Sequence, residues 1–161
     1  MGLTGITRYN DTAKYKTFDR IKPRVAVLPH IAPANANAVL TLGYADLGLL
    51  APNEKTTQKN DSLIHSVEEI GVAVLGDTPV MALTTLGKGT LMDHVNDIKT
   101  KSFDFQGTEI NELGNAEPLK NLFAPILGPS KITFCTVIEN TFLFAEEQET
   151  LQKVIRAHAS G

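Results

Sequence analysis

Apolar and polar positions alternate along several short stretches of the chain, and the alternation predicts strands. Ile132, Phe134, Thr136 and Ile138 share one face of a strand. Glu139-Asn140 turns the chain, and Phe142 and Phe144 continue on the returning strand. Phe103 and Phe105 alternate with Asp104 and Gln106, and Gln106-Gly107 predicts a hairpin turn into a strand over 108–113. Residues 24–28 read as a short strand stopped by Pro29, and 36–42 as a second that ends at Gly43. Strands over 72–75 and 80–85 flank the turn Gly76-Asp77-Thr78-Pro79.

Helical spacing appears between these stretches. Residues 10–18 place Tyr15 and Phe18 on one side of a short helix. Asp61 or Ser62 can cap a helix that runs to Ile70, with Leu63, Ile64, Val67 and Ile70 on one face and Gly71 as its stop. Thr90 and Asp93 form a weak capping box ahead of Leu91, Val95 and Ile98. Pro118 opens a short helix through Phe123. From about Glu146 a last helix shows Leu151, Val154, Ile155 and His158 at i, i+3, i+4 and i+7. Its glutamates lie near the N-terminus and Lys153 and Arg156 toward the C-terminus, where the helix dipole favours each.

These elements lack the regular strand–helix alternation of a Rossmann unit. They predict an α+β fold, a mostly antiparallel sheet with helices packed on one face. Leu151, Val154 and Ile155 are expected on that sheet beside Phe134 or Phe142. A faint repeat pairs residues 24–28 with 71–75 and residues 38–43 with 82–87.

Composition narrows the class. The chain has 161 residues, 42% of them apolar and 20% charged, enough for one domain with a core or two small ones and too apolar for a disordered chain. A single cysteine, Cys135, excludes an intrachain disulfide framework and a thiolate zinc site. No apolar run approaches the roughly 18 residues of a spanning helix. Residues 1–12 lack a signal-peptide core, although a precursor trimmed of one would read the same. An extracytoplasmic and a cytoplasmic location therefore both stay open. The net charge of -3 divides unevenly, +4 over residues 1–24 and −7 over the rest. This predicts a basic arm over 1–23 followed by a single α+β domain over 24–161. The arm lacks the aromatic interleaving of a single-strand binder and the dense lysine run of a polybasic switch, which sets nucleic acid aside.

No motif declares a chemistry. Leu86-Gly87-Lys88-Gly89-Thr90 fails as a phosphate loop, because position 82 is Ala and the residue after Lys88 is Gly. It reads as a strand-to-helix connection. Asp93 and Asp97 lie one helical turn apart beside His94, a spacing able to hold a cation that a solvated helix face explains as well. Cys135 shares a strand face with Thr133 and Val137 and lacks the cationic setting of a nucleophile. His65 reads as a surface histidine and His158 as covering the core edge. The serines lack a nucleophile elbow. The leading expectation is a non-enzymatic binding or scaffold module for a protein or small-molecule partner, with no cofactor and no metal. The alternative is a small hydrolase or ligand-binding enzyme in which Asp77, Asp93 and His94 meet, an aspartate orienting the histidine or taking a proton from it.

The segment 131–155, KITFCTVIENTFLFAEEQETLQKVI, resembles the closing unit of DUF3352-like bacterial extracytoplasmic domains. There a strand, a hairpin return and a helix follow one another as Phe142-Leu143-Phe144-Ala145 and residues 146–155 do here. The resemblance covers about 25 residues and holds no catalytic group. It implies a bacterial cell-envelope setting, as one module of a longer protein.

Overall fold

The computed structural model describes residues 22–44, 63, 65–128 and 131–160, with the side chains of Pro125 and Ile126 left aside. The expected helix over 10–18 and nearly all of the basic arm lie outside these residues, as does the polar stretch 48–61, whose Pro52, Asn53, Lys55, Lys59 and Asn60 read as an exposed loop.

One sheet organises the chain. Its strands are β1 (Ala38–Gly43), β2 (Val67–Leu75), β3 (Thr78–Thr85), β4 (Lys99–Phe105), β5 (Thr108–Leu113), β6 (Phe134–Ile138) and β7 (Thr141–Ala145). They pair antiparallel in the order β1-β2-β3-β7-β6-β5-β4. The helices are α1 (Leu28–Ile31), α2 (Gly89–Ile98), α3 (Glu117–Leu127) and α4 (Gln148–Ala159). The fold is thus α+β with an antiparallel sheet, as the alternation predicts.

Three hairpin–helix units follow one another: β2–β3–α2, β4–β5–α3 and β6–β7–α4. Each hairpin closes on two residues, at Gly76-Asp77, Gln106-Gly107 and Glu139-Asn140. Each turn has a left-handed residue, Gly76, the Gln106-Gly107 pair and Glu139, as tight hairpin turns require. This is the repetition the structure contains. The echo between 24–28 and 71–75 has no structural counterpart, because only the second is a strand.

The helices cover both faces of the sheet, where the sequence predicts one. Phe142 and Phe144 point to the face that holds Leu91 and Val95 of α2 and Leu119 and Phe123 of α3, with the Phe123 and Phe144 rings edge to face at 5.8 Å. Leu143 and Ala145, between them in β7, point to the face that holds Leu28 and Ile31 of α1 and Leu151, Val154 and Ile155 of α4. A five-residue strand that is buried at every position needs cover on both sides, and β7 is such a strand. Phe134 packs on the α4 side as expected, whereas Phe142 lies on the opposite face. His158 is exposed and covers no core edge.

Further expectations are corrected between residues 24 and 93. Residues 24–28 form no strand: Pro23 makes one bridge to Tyr44, the chain leaves the sheet, and α1 begins at Leu28. Pro29 belongs to the first turn of α1, where a missing N–H costs nothing. The helix expected to reach Ile70 gives way at Val67, where β2 starts after helical His65 and Ser66. Its β-branched residues pair with β1 on one side and β3 on the other. Gly71, read as a helix stop, lies inside β2. A Cβ there would come within 2.5 Å of Leu28 Cδ2 and 2.9 Å of Leu40 O, so its bareness lets α1 lie directly on the sheet. At α2 no side chain caps the N-terminus, so Thr90 and Asp93 form no capping box.

Candidate functional site

The residues nominated for chemistry fall in two places. Asp77 is exposed on the tight turn between β2 and β3. Asp93 is exposed and His94 half-buried in α2, which begins beyond the far end of β3. The eight residues of β3, on the order of 25 Å of extended chain, separate that turn from the connection into α2. Asp97 is exposed on the same helix. Among the described residues, no group of three or more His, Cys, Asp or Glu side chains is placed to hold a metal ion. Cys135 is fully buried and its thiol hydrogen-bonds Thr136 O at 3.8 Å. Burial pushes the thiol well above its ordinary range, which opposes the thiolate that nucleophilic chemistry needs.

A buried carboxylate that sequence reasoning passed over holds one side of the sheet together. Glu69 of β2 is 2% exposed. Its oxygens accept the backbone N–H groups of Val27 at 2.8 Å and Leu28 at 3.2 Å, at the start of α1. The Thr84 hydroxyl donates to it at 2.9 Å and the Thr41 hydroxyl also donates to it. Thr84 in turn lies 3.0 Å from the Thr141 hydroxyl, so the network spans β1, β2, β3 and β7. A buried carboxylate without a cation survives only when donors satisfy it, and these four do so. The sequence shows only two adjacent acidic residues ahead of an apolar run. The register of β2 against β3 shifts between Val67 and Glu69, so strict alternation does not assign their faces; Glu68 pairs with Arg24 while Glu69 is buried.

A cleft of about 550 Å³ opens beside the second half of α4. Lys153, Arg156 and Ser160 line it from α4 and its end, Leu75 and Gly76 from the β2–β3 hairpin, and Asn35 from the segment after α1. Among the described residues neither Lys153 nor Arg156 forms an ion pair with a carboxylate. The Arg156 guanidinium lies 5.0 Å from the centre of the Phe105 ring, which steadies it while leaving its charge uncancelled. A helix C-terminus ordinarily repels anions through its free carbonyls. Here Ser160 shares its two donors between Arg156 O and Ala157 O, its hydroxyl lying 2.9 and 3.0 Å from them and its backbone N–H 3.1 and 3.3 Å, which occupies both carbonyls. Sequence reasoning placed Lys153 and Arg156 only as partners of the helix dipole. Their cleft is completed by residues about 80 and 120 positions away, a separation that helical periodicity does not bridge.

Comparison of the chain with protein-family models, with curated proteins and with solved structures finds no match. The functional reading therefore rests on this geometry.

Proposed function

We propose that the chain is a non-enzymatic binding module whose ligand is a small molecule bearing a compact anionic group, held in the cleft beside α4. The observation that carries this is the pair of cations, Lys153 and Arg156, lining one concave site without a carboxylate partner among the described residues. Its volume falls in the range of about 300–1,000 Å³ usual for small-molecule sites. Leu75 and Ala157 offer apolar wall, and Asn35 offers an amide able to donate or accept.

Titration calorimetry with inorganic phosphate and, separately, glycerol 3-phosphate tests the proposal. Saturable binding that weakens with salt and drops at least tenfold in the double variant Lys153→Gln/Arg156→Gln supports it. Binding unchanged by that double substitution, or no binding at millimolar ligand, overturns it. A cell-envelope setting is part of the same proposal, supported by the resemblance of residues 131–155 alone. Fractionation of a bacterium expressing the native gene tests it, and recovery in the cytosol only ends that part.

A further inference from the structure

We propose that the outer edge of β1 pairs with β1 of a second copy of this chain, antiparallel and centred on Leu40. The backbone sets the register. On the inner side Tyr44 N donates to Glu68 O at 2.8 Å, and on the outer side Gly43 O accepts Arg24 N at 3.3 Å. Alternation along the strand then sends the N–H and C=O of Val39 and Thr41 outward, away from β2. Pro23 and Arg24 already occupy the edge opposite Tyr44 and Gly43. Among the described residues nothing else pairs with this edge, so its open part is residues 38–42, with Leu40 at the midpoint.

A two-fold axis through that midpoint, perpendicular to the sheet, sets Val39 against Thr41 of the second copy and Thr41 against its Val39. Both members of each pair point their backbone groups at one another, so each pair exchanges two hydrogen bonds. Leu40 faces Leu40 of the second copy in the non-hydrogen-bonded position between them, where side chains approach closest. Ala38 and Leu42 face each other on the same side. Axes through Val39 or Thr41 satisfy the same alternation, but the first sets Thr41 against Asn37, whose N–H already donates to Val74 O, and the second sets Val39 against Gly43, whose carbonyl Arg24 N already takes.

The side chains agree with the backbone. β1 reads AVLTLG and has no charge, so self-pairing sets no like charges together. Leu40 is 60% and Val39 39% exposed, two of the large apolar side chains left in solvent among the described residues. Thr41 is oriented by its hydrogen bond to Glu69, and the bare Gly71 leaves room for Leu40 O behind the strand. The contact is closed by its own symmetry and leaves no further edge of this kind to extend a fibre. A five-residue edge buries less than the roughly 1,600 Å² of a standard interface, so the dimer depends on concentration.

Sedimentation equilibrium of the full chain from micromolar to millimolar concentration tests this. The wild type is expected to pass from monomer to dimer. Leu40→Lys is expected to stay monomeric at the highest concentration while keeping the wild-type circular dichroism and melting temperature, and Val39→Lys to do the same. A wild type that stays monomeric throughout overturns the proposal, whether residues of this chain or another protein then cover the edge. A dimer that survives both substitutions overturns it equally.

Discussion

The two edges of the sheet are built on opposite plans. β4 reads KTKSFDF, and its lysines lie along the rim. Lys99 pairs with Glu109 and Lys101 with Glu112 of β5, each at 3.6 Å and largely in solvent. Charges of this kind make an edge unwelcoming to another strand. β1 has none, and its exposed positions are Ala38, Val39 and Leu40. Support differs as well. β4 is held by its hairpin and exposed ion pairs, β1 by a buried carboxylate and a glycine that seats α1 behind it. The difference teaches that a buried network, and not the number of exposed ion pairs, decides which edge is costly to disturb. It also shows which edge is left able to pair.

Substitutions that break the β1 side should cost most. Glu69→Ala strands the N–H groups of Val27 and Leu28 and two threonine hydroxyls. Urea denaturation is expected to show a loss of about 3 kcal/mol. Gly71→Ala forces the new Cβ against Leu28 and the Leu40 carbonyl. A loss of about 2 kcal/mol is expected in the same assay, together with weaker dimerisation, since β1 must shift.

Alkaline pH separates the regions next. Burial, and then the Glu69 carboxylate, raise the Tyr44 phenol well above its ordinary value, and burial alone raises the Cys135 thiol. Both groups stay protonated in the folded chain and ionise on unfolding. Their stability contribution is therefore complete below the unfolded values. It falls as pH rises past about 8.5 for the thiol and about 10 for the phenol, by up to about 1.4 kcal/mol per pH unit for each group. Cys135→Ala should remove the first part of that decline and Tyr44→Phe the second, read by urea denaturation across an alkaline series. Since the Tyr44 hydroxyl is buried with no partner among the described residues, Tyr44→Phe should lose no stability at neutral pH. On the β4 side, Lys101→Ala removes only an exposed pair and should cost less than about 0.5 kcal/mol. A cost above about 2 kcal/mol there would erase the contrast between the edges.

How much of this was legible in the sequence follows from the range of the interactions. The β6–β7 hairpin and α4 could be read directly, because alternation, a two-residue turn and an amphipathic stripe are all local signals. The second half of β2 reads as a strand over 72–75, whereas its first four residues read as the end of a helix because Leu63, Val67 and Ile70 fit that spacing. What decided it was pairing with β1 and β3, which no window around Val67 contains. α1 was hidden for the same reason, since its first N–H groups depend on Glu69, some 40 residues later. The cover on both faces follows from where β7 inserts, between β3 and β6, and chain order does not announce that. Of the candidate sites, Asp93 and His94 were visible as neighbours on one helix. The cleft beside α4 was not, because Asn35, Gly76 and Lys153 meet only in the folded chain.

Hydrogen–deuterium exchange at the two edges, followed by NMR at low and high protein concentration, tests the contrast most directly. The outward amides of Val39 and Thr41 are predicted to exchange freely in dilute solution and to gain protection as concentration rises, while the outward amides of β4 do not change. Exchange at Val39 and Thr41 that is independent of concentration, or protection that grows equally at β4, would contradict the claim that β1 is the edge built to pair.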